Sequence, residues 1–435
     1  VIIDFSVKNH RSFRNEQRLS FVASNYVKEL PGHLIDPALP GLDGLKLLKG
    51  LALYGPNAAG KSNVLSALNF LAVFVEKSAT DFDEGDPTGV EPFALSEDEA
   101  ATPSEFALRF VVNGVRYHFA LVVDRHRVLY ESLSAFPKGK ERVWYERTWD
   151  EDAGAYTWEP ERPTDFRRDA KLEGYTRQNA LFLSTAAKWN NEQLAPIYRW
   201  FKFQLRFLRV NADFPALPPS ITAEALRKGP NERNAVVRLL RHADMGILSA
   251  KAVEKELHRE ELPEGLPEEL AAMFLKNKRI EITLGHRGAA GREYPLPWDE
   301  ESSGTQKLFT LAGPWLDVLE NGYVVGVDEI ESSMHPSMVV ELLRLIFDSS
   351  TNAHGAQCLF TTHNPLLLDP TLLRRDQVWF ADKDEEGATH LYPLTEYKPR
   401  KGESLTRGYM AGRYGAVPFI PEGLLGKEEA GVGQE

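Results

Sequence analysis

The chain has 435 residues, 43% of them hydrophobic and 26% charged, which is enough apolar material for a large core in one big or two modest domains. A formal charge of −12 gives no bulk attraction to nucleic acid, and a single cysteine, Cys358, excludes a disulfide framework and suits a reducing compartment. No run is long enough to span a bilayer and no signal-peptide pattern is legible, so the expectation is a cytoplasmic protein with no membrane partner.

From the start of the chain, Phe5-Ser-Val-Lys-Asn-His-Arg11-Ser12-Phe13 alternates as an edge strand. Leu51-Ala-Leu-Tyr54 is a short apolar strand. It runs into Gly55-Pro56-Asn57-Ala58-Ala59-Gly60-Lys61-Ser62, a full GxxxxGK[ST] phosphate-binding loop. Asn63-Val-Leu-Ser-Ala-Leu-Asn-Phe-Leu71 leaves the loop at helical spacing. In that context the backbone N–H groups of the loop and of the helix start wrap a β-phosphate. Lys61 reaches the β and γ oxygens, and the Ser62 hydroxyl ligates Mg²⁺. The implied cofactors are therefore ATP and Mg²⁺.

Phe106-Ala-Leu-Arg-Phe-Val-Val, the turn Asn113-Gly114 and Val115-Arg-Tyr-His-Phe-Ala-Leu form an antiparallel hairpin within an alternating stretch from 104 to 136. Residues 138–168 read as further hairpin and loop. Residues 176–275 read as mostly helical, with Pro and Gly breaks at 215–219, 229–230 and 263–267. Within them Arg199, Lys202, Arg206 and Arg209 fall on one helix face beside a stripe of Trp200, Phe203 and Phe207. Such a face is either a phosphate- or partner-binding helix or the solvated side of an amphipathic core helix, and the second is favoured. Ser62 and Ser302 lie 240 positions apart, so the chain between them holds an insertion. Sustained heptads are absent, so the insertion is expected to be a compact helical arm, not a long coil.

Glu301-Ser-Ser-Gly-Thr-Gln306-Lys opens a helix, with Ser302 or Ser303 as N-cap and an anion-binding N-terminus. Tyr323-Val-Val-Gly-Val-Asp328-Glu329 reads as a buried parallel strand ending in two acids. Asp328 would bind Mg²⁺, and Glu329 would act as general base on the attacking water. Gln357-Cys-Leu-Phe-Thr-Thr-His363 is a second apolar strand, ending in a candidate γ-phosphate sensor, His363. Asp382-Lys-Asp384-Glu-Glu-Gly387 is read as a hairpin turn between two strands, not as a metal site. Lys398, Arg400, Lys401, Arg407 and Arg413 form a basic cluster that faces either a partner or the nucleotide. The last dozen residues, rich in Gly and Glu, read as a frayed tail.

The order of phosphate loop, Ser-Gly-x-Gln, Asp-Glu and His resembles the ABC ATPase head. Ser303-Gly304-Thr305-Gln306 stands at the position of that family's signature, with Thr305 in place of its second Gly and no preceding Leu. That departure points away from transporter subunits and towards the RecF/SMC/OLD branch, whose opening strand the segment with Arg11 and Ser12 resembles. The resemblance implies that Arg11 and Ser12, with Gly55 to Ser62 and Asn63, approach the nucleotide. Glu131-Ser-Leu, Phe182-Leu-Ser, Ala243-Asp-Met-Gly-Ile and Gly412-Arg-Tyr-Gly-Ala-Val-Pro418 narrow it further. Together they resemble stand-alone AAA/ABC ATPases of prophages and phage-defence islands, of the RloA and AbiLii kind.

The implied fold is α/β, an ABC-type P-loop head with a mostly parallel core sheet, an antiparallel β subdomain and a helical insertion between Walker A and the signature. The expected division is an N-terminal lobe at 1–136, an inserted hairpin and arm at 137–285, a C-terminal lobe at 286–420 and a tail at 421–435. The implied activity is ATP hydrolysis, with Glu329 and His363 catalytic, Ser62 and Asp328 on the metal, and Ser303 to Gln306 acting in trans. One copy of each motif per chain implies a homodimer or higher oligomer. The resemblance implies a protein effector, a nearby-encoded nuclease, in phage defence. A RecF- or SMC-like ATPase acting directly on DNA is the alternative, although net charge does not support nucleic acid. No glutamine occurs between Gln17 and Gln178, which leaves a Gln-loop residue unassigned.

Overall fold

In the computed structural model the described residues are 1–161, 165–208, 218–243, 246–256, 259, 267–268, 278–332, 334–400 and 402–418. Arg209, Asp244 and Met245, Lys401, the proposed breaks at 263–266 and the tail at 421–435 lie outside them.

The first part of the chain runs β1 (Ile2–Lys8), β2 (Gln17–Ser20), β3 (Leu34–Ile35), β4 (Leu47–Leu48), β5 (Gly50–Tyr54), α1 (Lys61–Lys77) and α2 (Glu97–Ala101). Then come β6 (Ser104–Val112), β7 (Val115–Val123), β8 (Val128–Phe136), β9 (Arg142–Asp150) and β10 (Ala155–Glu159). The middle holds α3 (Ala170–Tyr175), α4 (Phe182–Lys188), α5 (Ala195–Arg199), β11 (Leu205–Leu208), α6 (Ser220–Lys228), α7 (Pro230–Ala243), β12 (Ile247–Glu256), β13 (Lys278–Arg287) and β14 (Glu293–Pro297). The last part holds α8 (Ser303–Asn321), β15 (Val324–Val327), α9 (Pro336–Phe347), β16 (Gln357–Thr361), β17 (Val378–Lys383), β18 (Thr389–Pro393) and α10 (Leu405–Met410).

Two large sheets organise these elements. One has the order β10-β9-β8-β7-β6-β1-β2 and every pair in it is antiparallel. The other has the order β11-β15-β16-β5-β17-β18, parallel throughout except for the final pair. A smaller antiparallel sheet joins β12, β13 and β14. This is the α/β architecture expected, a mostly parallel core sheet with an antiparallel β subdomain.

The alternation of β5 shows how the layers meet. Leu51 and Leu53 face a core that also holds Val64, Leu68, Leu71 and Phe74 of α1 and the inner side of the antiparallel sheet. Ala52 and Tyr54 face the opposite core, built with α8 and α9. Helix α1 is therefore sandwiched between the two sheets, and each fully buried Leu, Val or Phe on it contributes roughly 1.5–3 kcal/mol. The turn between β6 and β7 is the Asn113-Gly114 turn, both residues at positive φ (50° and 74°), as a two-residue hairpin requires.

Three sequence expectations change. β1 lies between β6 and β2, so the opening strand is interior and β2 takes the edge. The basic stripe does not share a helix: α5 ends at Arg199, Trp200–Gln204 form a π-helical turn, and Arg206 and Phe207 lie in β11. Parallel pairing with β15, Leu205 against Val324 to Leu208 against Val327, overrides the helical periodicity there. Finally, the stretch read as mostly helical contributes β11 to the core sheet and β12 to the small sheet.

Candidate nucleotide site

Adjacent parallel strands β15, β16 and β5 all point their C-terminal ends at one place. In open α/β sheets that edge is where ligands bind. The loop after β5 carries the phosphate-binding motif, the bend after β15 carries Asp328 and Glu329, and the end of β16 leads to His363. Side chains more than 260 positions apart in sequence are thereby brought together.

The loop backbone alternates handedness, with positive φ at Gly55 (156°), Ala58 (61°) and Gly60 (96°). Such alternation turns successive N–H groups towards one concavity suited to an anion. Helix α1 begins at Lys61 directly after Gly60, which adds the positive end of its dipole. The Lys61 ammonium donates to the carbonyls of Gly55 and Pro56, each at 2.9 Å, and lies 3.5 Å from Nδ1 of His363. Burial lowers its pKa to about 8, a pull that outweighs the opposing charges of Asp328, Glu329 and Glu331.

Ser62 Oγ donates to Asp328 Oδ1 at 3.0 Å. A hydroxyl and a carboxylate oxygen in contact are hard ligands suited to Mg²⁺, which commonly takes one or two protein oxygens and completes its shell with phosphates and water. Among the described residues no group of three or more His, Cys, Asp or Glu gathers as a metal cage. Glu329 Oε1 lies 3.9 Å from His363 Nε2, and both side chains are partly exposed. The His363 pKa is lowered, first by burial and then by the Lys61 charge.

Sequence reading missed several partners. Thr361 Oγ1 donates to Asp328 Oδ1 at 2.6 Å and accepts from the Glu329 backbone N–H at 2.7 Å, so one buried hydroxyl fixes both acids. Glu331 accepts from the His363 backbone N–H at 2.6 Å and so anchors the turn that presents the histidine. Neither has a motif signal of its own; the only sequence hint is a Thr-Thr pair before His363 and a third acid after Glu329.

Ser12 stands at the outer side of the loop. Its Oγ accepts from Asn63 Nδ2 at 2.7 Å and lies 2.7 Å from Thr389 Oγ1. Arg11 forms an ion pair with Glu91 (3.0 Å) and, with Ser12, Asn63, Arg125 and Lys383, lines a cavity of about 630 Å³.

The Ser-Gly segment is a separate constellation at the start of α8. Ser302 is the N-cap, its Oγ accepting from the Thr305 N–H at 3.1 Å. Ser303 is exposed, Gly304 half-buried and Thr305 buried. Gln306 donates through Nε2 to the Trp298 carbonyl at 2.8 Å. Asp382 and Asp384 belong to the β17–β18 hairpin, as expected: Asp384 meets His390 at 2.8 Å and Asp382 accepts from the Ala416 N–H. Of the C-terminal basic cluster, Arg413 pairs with Glu403. No helix among the described residues is long and apolar enough to cross a membrane.

Residues 51–369 match the family described as "AAA domain, putative AbiEii toxin, Type IV TA system". Among solved structures, the SMC head domain from Thermotoga maritima is 13% identical with a TM-score of 0.41, covering 90% of this chain and 98% of that one. An Smc head domain with an extended coiled coil, bound to the C-terminal domain of ScpA and derived from Pyrococcus furiosus, is 12% identical with a TM-score of 0.40, covering 91% and 97%. No curated protein matches. The family match runs from the strand before the phosphate loop past His363, well over half of the chain, and the protein belongs to this family of AAA ATPase domains.

Proposed function

We propose that the chain hydrolyses ATP with Mg²⁺ and uses the cycle to switch a partner protein. The observation that carries this is the convergence of Lys61, Ser62, Asp328, Glu329 and His363 at the ends of β5, β15 and β16. Bound Mg²⁺-ATP would supply the phosphoanhydride and the neutralising cation. Lys61 then offers its ammonium to the β and γ oxygens in place of the two loop carbonyls. Ser62 and Asp328 would hold the metal, Glu329 would accept the proton of the attacking water, and His363 would donate to the γ-phosphate.

Ser303, Gly304, Thr305 and Gln306 open α8 with an exposed, capped helix start, which would address the γ-phosphate bound by a second copy. Each site would then need two chains, so the working unit is a homodimer or larger, with ATP holding the heads together. The effector reading rests on the likeness to phage-defence ATPases, and a family description that names a toxin–antitoxin system is in keeping with a second protein as target.

Lys61→Ala tests the reading. Nucleotide binding or hydrolysis should be abolished, because the β and γ charge loses its counter-ion in a site built around it. Parent-like turnover in that variant would remove the ATPase assignment.

A further inference from the structure

Both outer glycines of the phosphate loop abut the C-terminal hairpin of β17 and β18. A Cβ at Gly55 would run into the carbonyl oxygen of Ala381 in β17. A Cβ at Gly60 would run into the hydroxyls of Thr389 in β18 and of Ser12. The loop is thus gripped at its two ends by a segment that follows it by more than 300 positions.

The grip is a connected set of buried hydrogen bonds. Thr389 Oγ1 is fully buried, 2.9 Å from the Ala59 carbonyl and 2.7 Å from Ser12 Oγ. A carbonyl only accepts and a hydroxyl has one proton, so Thr389 donates to Ala59. Its contact with Ser12 Oγ closes the link, and the Ser12 oxygen also accepts from Asn63 Nδ2. The chain runs Asn63 to Ser12 to Thr389 to Ala59, with both ends on the loop–helix unit. The Thr389 N–H also donates to the Ser12 carbonyl at 2.7 Å. Arg14 pairs with Glu99 at 2.8 Å and with Glu386 in the hairpin turn, which ties the turn to the N-terminal hairpin.

We propose that Ser12 and Thr389 are positioning residues, and that the β17–β18 hairpin is a clamp holding the phosphate loop in its anion-binding shape before nucleotide arrives. A preformed loop spends none of its binding energy on ordering, so loss of the clamp should appear in affinity and not in the chemical step. The proposal rests on reading residues 55–62 as a nucleotide loop.

The test is titration of the full chain with a fluorescent ATP analogue, together with steady-state ATPase kinetics. Thr389→Val and Ser12→Ala should each weaken binding about 5- to 30-fold, the scale of a lost buried hydrogen bond, and Thr389→Val should leave kcat at saturation within about 3-fold. Thr389→Ser should restore parent affinity. The double variant should bind no more than about 2-fold more weakly than the weaker single, because the two hydroxyls belong to one chain. Parent-like affinity in both singles, or losses that multiply in the double, would overturn the clamp. If Thr389→Val does not fold, Thr389→Ala against Thr389→Ser carries the same decision. Lys61→Ala is measured alongside: parent-like binding there sinks the nucleotide reading, whereas lost binding there with parent-like Thr389→Val sinks the clamp alone.

Discussion

Glu329 has a left-handed backbone, with φ of 46°, a conformation that a side chain of its size adopts at a cost of about 1–3 kcal/mol. Its N–H donates to Thr361 Oγ1 and its carbonyl accepts from the Ser332 N–H, and the same Thr361 hydroxyl fixes Asp328. Thr361→Val keeps the shape and removes that hydroxyl. The expected outcome is a fall in kcat of about 10-fold with ATP affinity within about 3-fold, read by steady-state kinetics and nucleotide titration. An unchanged kcat would show that Glu329 needs no such anchor. At this scale the sequence was informative where the motif is contiguous. Gly55 to Ser62 is local, and loop and helix start follow from adjacent residues. Thr361, Glu331 and Thr389 were not legible, because each acts on residues that become neighbours only after strands distant in sequence pair.

Helix α4 shows what two of the segments that carry the resemblance do in the fold. Glu131 on β8 is completely buried, and its carboxylate accepts from the N–H groups of Phe182 (2.8 Å) and Leu183 (3.0 Å) at the start of α4. Tyr145 OH and Arg147 Nε each donate to it at 2.8 Å. Thus two separate segments noted in the sequence, Glu131-Ser-Leu and Phe182-Leu-Ser, meet as an anion at a helix N-terminus and brace the antiparallel sheet against α4. Glu131→Ala leaves the Arg147 guanidinium buried without its counter-charge, which should cost about 3–5 kcal/mol. Urea unfolding should show a lowered midpoint, and an unshifted midpoint would contradict the bracing role. Elements with a strong period, such as β6 and β7 around Asn113-Gly114, were readable from the sequence. β11 was not, since four residues carry too little period to outvote a helical neighbourhood and its strand state comes from pairing with β15.

Across the whole molecule, the core sheet gathers Lys61, Ser62, Asp328, Glu329 and His363 at one edge, while α8 begins at the exposed Ser303. Ser303→Arg should therefore block hydrolysis while leaving ATP binding nearly intact, because the long side chain would obstruct only the γ-phosphate of a second copy. Mixed with Lys61→Ala under conditions of subunit exchange, it should restore activity in part, since a mixed dimer regains one sound site. No recovery after verified exchange would count against shared sites. The most direct measurement is made on Glu329→Gln, which removes the base and one negative charge but leaves Lys61, Ser62 and Asp328 in place. With Mg²⁺-ATP, turnover should fall roughly 10²-fold or more while nucleotide still binds, and light scattering should show an ATP-dependent dimer accumulating. Near-parent turnover, or lost turnover with no nucleotide-dependent change in mass, would contradict the account.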